Sequence, residues 1–384
     1  MKYFALAAVC LLGIVLGSRA QGPVTQGSET VSKKKTTTTS TDPDAPAAST
    51  DATADPNAAP IPSKYKPNKD GLPQGGPTFR SDVLTVTLDV AVLDNHGNPV
   101  PKIPQEKFRI LEDNTPQKVT GFSIGEAPMT ICLVVEFSAK FQRLYTSGWA
   151  QTLNDAYYFV RTLKPEDYLA VIAYDLRPEI LSDFSTDRTL AAQALSRLRI
   201  PAFSESTLYD TLVFTGERMQ DIEGRKAIVL LSSGVDTISK LTYDKTRKAV
   251  QDNGIPIYAI GLLQTQREMA GSRGGMRGAQ SDMNLTMANL QMTTFATETG
   301  GRAFFPRFEG EMPAVFQAVH DSLRNNYVLT YQPSNQAKDG KYRRLKVELV
   351  NEDNQPLKVL DEKGKPLKLQ IMTKAGYKAP REVE

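Results

Sequence analysis

The stretch Thr130-Ile131-Cys132-Leu133-Val134-Val135-Glu136-Phe137-Ser138-Ala139-Lys140 decides how the chain is read. Its first six residues are apolar or β-branched, and the run ends abruptly in an acid, a serine and a lysine. A continuous apolar run of this length predicts a strand buried on both faces, as in a parallel sheet. In open α/β sheets ligands sit just beyond the carboxyl ends of such strands. Glu136, Ser138 and Lys140 are therefore candidate binding residues.

Working outward, further apolar runs at 169 to 174, 226 to 232, 256 to 262 and 302 to 305 alternate with segments of helical period: Trp149 to Leu163, Arg188 to Leu198, Leu208 to Met219 and Met312 to Leu323. This alternation predicts a doubly wound α/β fold, a mostly parallel six-stranded sheet with helices on both faces. Glu179 to Ser185 follows the Asp175 to Pro178 turn with no room for a crossover helix, so it is expected as an antiparallel edge strand.

The spacing of acid and hydroxyl after the first strand resembles the D-x-S-x-S motif of von Willebrand factor type A (VWA) domains. Ser206-Thr207-Leu208-Tyr209-Asp210 resembles the family's T-x-x-x-D loop, and Leu231-Ser232-Ser233-Gly234 ends the strand at which the family carries its last acid. The resemblance covers residues 128 to 325 and implies a Rossmann-like fold with a metal site built from two acids and three hydroxyls. Here Ser138 and Thr207 match, Glu136 is a lengthened Asp, Lys140 replaces a hydroxyl and Ser233 replaces a carboxylate. Mg²⁺ wants near-octahedral oxygen at about 2.0–2.1 Å, and an ammonium removes one oxygen and repels the ion. The expected site is thus degenerate, with no metal or other cofactor, and with Lys140 paired to Glu136 or Asp210. The alternative is a residual Mg²⁺ site that turns Lys140 outward and recruits Asp210 or Asp236.

At the amino end, Lys2, the apolar stretch Tyr3 to Gly17 and Ser18-Arg19-Ala20 have the order of a secretory signal peptide, cut after Ala20. About fifteen apolar residues are short for a ~30 Å hydrocarbon core, so cleavage is expected and no transmembrane segment in the mature chain. Losing Lys2 and Arg19 takes the 46 basic residues to 44, against 43 acidic ones. That near-neutrality argues against a nucleic-acid partner. Cleavage also removes Cys10 and leaves Cys132 alone in an apolar strand, where it reads as a small core hydrophobe. Residues 21 to 80, rich in Thr, Ser, Pro and Ala, hold too little apolar surface to offset chain entropy and are expected to be a disordered linker.

Period-two alternation returns at Val83 to Leu93, before the turn Asp94-Asn95-His96-Gly97-Asn98-Pro99, and again at Phe108 to Val119, Tyr327 to Tyr331, Tyr342 to Val350 and Leu367 to Met372. These predict β segments at 81 to 127 and 326 to 384 that together form an accessory all-β module. Val359 to Pro366 echoes Val92 to Pro99, which shared turn chemistry explains. With Thr299-Gly300-Gly301-Arg302, Asn326 to Tyr331 and Ala375-Gly376-Tyr377, this layout resembles the secreted VWFA-related domain proteins of acidobacteria. The resemblance implies an extracytoplasmic binding module, in the periplasm or outside the cell.

Support for enzymatic chemistry is thin. The two histidines, His96 in a turn and His320 on an apolar-period helix, lie beside no strand-end nucleophile, and no G-x-S-x-G elbow occurs. Gly271 to Gly278 lacks the strand and Lys-Ser/Thr of a phosphate loop, and 264 to 290 is expected to be a mobile insertion. The expected function is non-enzymatic: binding of an envelope or extracellular protein at the top face of the sheet through Glu136, Ser138, Lys140, Thr207, Asp210 and Ser233. The alternatives are a Mg²⁺-dependent adhesin, or a hydrolase using Glu136, Asp210 and Asp236.

Overall fold

The computed structural model describes residues 84–125, 127–144, 149–264, 275–360 and 364–381. The expected signal peptide and linker lie outside the described residues. So does the first half of the glycine-rich segment, whereas 275 to 290, expected within a mobile insertion, belongs to a helix.

In chain order the elements are β1 Val86–Leu93, β2 Phe108–Glu112, β3 Thr115–Gln117, β4 Val119–Ile124, β5 Met129–Glu136, α1 Ala139–Leu144, α2 Trp149–Thr162, β6 Tyr168–Tyr174, β7 Pro178–Ser185, α3 Arg188–Ser196, α4 Leu208–Gln220 and β8 Arg225–Ser232. There follow α5 Tyr243–Asn253, β9 Ile257–Gly261, α6 Gly275–Glu298, β10 Ala303–Phe304, α7 Met312–Arg324, β11 Tyr327–Tyr331, β12 Tyr342–Leu349, β13 Gln370–Met372 and β14 Gly376–Lys378.

The central sheet has six strands in the order β10-β9-β8-β5-β6-β7, parallel except for β7, which runs antiparallel to β6 as its short connection requires. Every residue of β5 is buried, and its pleat divides the apolar run between two cores. Ile131, Leu133 and Val135 face a layer formed by α2, α3 and α7, whereas Cys132 and Val134 face α4, α5 and α6. Burial pushes the Cys132 thiol up, as fits a core residue with no reactive role. The sixth strand shrinks from the expected 302 to 305 to two residues, with the Arg302 carbonyl still accepting from the Ala259 amide at 2.9 Å and its guanidinium over the Phe304 ring, donating to Gly97 O.

The flanking segments build two antiparallel four-stranded sheets, β13-β1-β11-β4 and β14-β12-β2-β3. Each mixes strands from both ends of the chain: Val86 pairs with Tyr331, and Leu345 with Glu112. One apolar cluster, including Leu88, Val90, Ile110, Leu329 and Val347, lies between them. The turn expected after β1 closes on a single bridge, Leu93 to Pro99, with the Asp94 carboxylate accepting from the His96 and Asn98 amides at 2.8 and 2.9 Å. Leu360 bridges Pro366 at the same spacing, as the sequence echo suggests. Arg225, at the start of β8, ties these sheets to the central one by donating to Asp89 Oδ1 at 3.0 Å, Gly125 O at 2.7 Å and Leu323 O at 2.9 Å. No helix among the described residues is long and apolar enough to cross a membrane.

Candidate functional site at the strand ends

The chain crosses from β5 to β6 on one side and later returns to β8 on the other, so the carboxyl ends of β5 and β8 flank the switch point of the sheet. A crevice is expected there, because the connections leave these two strand ends in opposite directions. Glu136 closes β5, and Ser232 closes β8 with Ser233 just past it.

Glu136 is 2 % exposed. Its Oε2 accepts from the Ser233 amide and hydroxyl, both at 2.7 Å, and from the Ser232 hydroxyl at 3.0 Å. Its Oε1 accepts from Ser138 Oγ at 3.1 Å. The Tyr174 hydroxyl lies 2.8 Å from Ser232 Oγ and 3.5 Å from Oε2. Burial raises the Glu136 carboxyl above its ordinary range, and the serine donors oppose the rise. The Tyr174 phenol is pushed well up, by burial first and then by the neighbouring Glu136. A carboxyl so placed holds its proton more tightly than a free one.

Beside Glu136 is a cavity of about 30 Å³, whose lining includes Ser138, Lys140, Ser204, Ser206 and Thr237. The hydroxyl protons here are mostly spent within the chain. Ser138 and Ser233 donate to Glu136 while accepting from the Phe141 and Val235 amides. Thr237 donates to Ser206 O at 3.1 Å and accepts from Ser206 N at 2.7 Å. Ser206 Oγ is buried, and the hydroxyl near enough to lower the Tyr174 phenol belongs to this same serine. The cavity therefore presents lone pairs more than protons.

The structure brings Glu136, Ser138, Lys140 and Ser233 to one cavity, but not Thr207 or Asp210. The Thr207 hydroxyl donates to Asp175 O at 2.9 Å. The Asp210 carboxylate accepts from the Lys240 and Leu241 amides, both at 2.9 Å. Asp236 accepts from the Tyr209 amide and the Ser239 hydroxyl. These contacts clamp the start of α4 to the loop after β8. The expected ion pair is a correction: Lys140 is exposed and pairs with neither Glu136 nor Asp210, because serine donors already surround the one and loop amides hold the other.

The donor set does not fit the Mg²⁺ that the VWA resemblance implies. Among the described residues one carboxylate reaches the cavity, one of its oxygens already accepts from three donors, and a lysine lines the same space. Among the described residues no group of three His, Cys, Asp or Glu is placed to hold a metal. The sequence reading missed Ser206, Ser232 and Tyr174. Tyr174 was findable only through register, since it stands opposite Glu136 across the β5–β6 ladder.

No family model matches the chain, nor does any curated protein sequence. Several solved structures are similar to it. One is the vWF domain of the type V pili tip protein Mfa5 from Porphyromonas gingivalis, at 13% identity and TM-score 0.39, covering 52% of this chain and 97% of that one. Another is BatB from Bacteroides thetaiotaomicron, at 14% identity and TM-score 0.36, covering 50% and 98%. A third is proximal thread matrix protein 1 from the mussel byssus, at 13% identity and TM-score 0.41, covering 56% of this chain. The chain spans about half (51%) of the length of that protein.

Proposed function

We propose that the chain is a non-enzymatic protein-interaction module, binding an envelope or extracellular partner at the carboxyl ends of β5 and β8 without a divalent cation. The observation that carries this reading is Glu136: serine hydroxyls and an amide already occupy its carboxyl oxygens, an arrangement unsuited to a hard cation. Apolar side chains around the crevice support a protein partner over a small solute. Phe203 is 47% exposed and its carbonyl accepts from the Ala139 amide; Ile238, also 47% exposed, follows Thr237 of the cavity wall. Met283 and Met287 stand exposed on α6, whose Ala288 and Met292 pack on Gly234. Hydrolysis draws no support: neither histidine lines the cavity, and Asp210 and Asp236 are occupied by amides and a hydroxyl.

An extracytoplasmic location belongs to this proposal and rests on the order Lys2, Tyr3 to Gly17, Ser18-Arg19-Ala20. Intact mass of the exported protein should start at Gln21; retention of Met1 counts against it. To test the interaction, a photo-crosslinking residue is placed at Phe203, at Ile238 and, as a control, at exposed Tyr158 on α2, in the cells that make the protein. Adducts are expected from the first two positions and not from Tyr158. Adducts from all three alike, or from none, would sink the reading.

A further inference from the structure

In the layer that α2, α3 and α7 form on one side of the central sheet, a cavity of about 380 Å³ lies between α2 and α7. Its lining includes Asp155, Tyr158 and Phe159 of α2 with Pro313, Phe316 and Gln317 of α7. The three α2 residues stand at i, i+3 and i+4, on one face of that helix. This face turns to the core: Phe159 is buried and stacks on buried Phe316, their ring centroids 5.4 Å apart. Asp155 is out of character there, at only 4% exposed, because a carboxylate at a core-facing position is costly to bury. The cavity beside it gives a cation from outside a way to that charge. No Lys, Arg or His stands among the described residues of the lining. The Thr162 hydroxyl, also in the lining, donates to Phe159 O at 2.7 Å, and the Gln317 amide nitrogen donates to Asp321 Oδ1 at 2.9 Å. What the cavity offers a visitor is a carboxylate, aromatic faces and acceptor oxygens.

We infer that this cavity binds a small organic ammonium, a primary amine on an apolar stem, with its charge on Asp155 and its stem against Tyr158, Phe159 and Phe316. Aromatic faces attract cations through the ring quadrupole, so the rings and the carboxylate select the same sign of charge. The ammonium adds a charge-assisted hydrogen bond to Asp155. A neutral solute of the same shape forgoes that bond, and an anion meets like charge. The volume is that of a small-molecule site. Two of the three rings are buried and only Tyr158, 67% exposed, faces solvent broadly, so the site encloses a solute and offers little surface to a protein. No described residue lines both this cavity and the one beside Glu136, which makes it a second site.

Calorimetry on the full chain with phenethylammonium, 2-phenylethanol and phenylacetate tests this, since the three probes share a stem and differ in charge. The ammonium should bind about tenfold or more tighter than the alcohol, the scale of one charged hydrogen bond, and phenylacetate should not bind measurably. Asp155→Asn keeps the size of the side chain and should bring the ammonium down to the alcohol while leaving the alcohol unchanged. Tyr158 is exposed, so Tyr158→Ala and Tyr158→Lys should melt as the unmodified chain does. The first should weaken the ammonium about two- to fivefold, the scale of an exposed cation–π contact, and the second should abolish its advantage over the alcohol. Binding that ignores charge, no binding of the ammonium at millimolar concentration, or an advantage that survives Asp155→Asn overturns the inference. Should Asp155→Asn fail to fold, Tyr158→Lys decides: an advantage undiminished in that variant overturns it as well.

Discussion

Glu136 has no cation within the chain to offset its burial, so its charge costs stability wherever it is ionised. Its carboxyl sits higher in the folded state than its ordinary value of 4.5, so the folded state holds the proton more tightly than the unfolded one. Stability therefore falls as pH rises above that ordinary value, because deprotonation is easier after unfolding. Glu136→Gln removes the titration and keeps the shape: the amide oxygen takes the Ser232 and Ser233 donors, and the NH₂ faces Ser138 and the cavity. In urea melts run from pH 5 to pH 8 the variant should gain on the unmodified chain as pH rises out of the ordinary carboxylate range. A difference that stays flat across that range would show that Glu136 keeps an ordinary titration. The residue types at the strand ends were legible in the sequence, because a strand buried on both faces announces its end by the first charge. Where Lys140 and Ser206 point was not, since that depends on rotamers and on loop 197 to 207 coming alongside.

Among the elements, the loop after β8 is held by two carboxylates from outside the cavity. Asp210, in the first turn of α4, gains from the helix dipole while accepting from the Lys240 and Leu241 amides. Asp210→Ala leaves both amides unmet and should cost about 1–3 kcal/mol. Hydrogen exchange should speed up at Lys240 and Leu241 with β8 still protected; unchanged exchange at these amides would show that water serves them as well. Asp210 was placed in the binding set because it follows Thr207 in the stretch that resembles the VWA loop. The residue instead serves the loop's own backbone, a use no spacing rule distinguishes. Strands β5, β8 and β9 were legible for the opposite reason, as their apolar runs admit no other placement in a doubly wound fold.

At the scale of the molecule, the two flanks share sheets and a core, although some 240 residues separate Val86 from its partner Tyr331. Alternation in the sequence marked these strands, but nothing local encodes which pairs with which, as both flanks are half-buried antiparallel segments of similar composition. Removing residues 326 to 384 takes β11 from between β1 and β4, and β12 from beside β2. Amide protection across 86 to 124 should then collapse; protection that survives truncation would show the amino-terminal strands to be self-sufficient. A strand-end cavity that works without a divalent cation is tested most directly by thermal melting with millimolar Mg²⁺. An ion bound only by the folded state adds RT ln(1 + [L]/Kd), about 2.7 kcal/mol at a hundredfold excess over Kd. The unmodified chain should show no shift in Tm, whereas the triple variant Glu136→Asp, Lys140→Ser and Ser233→Asp should gain one. A Mg²⁺-dependent rise in the unmodified chain, abolished by EDTA and by Glu136→Ala, would contradict the account.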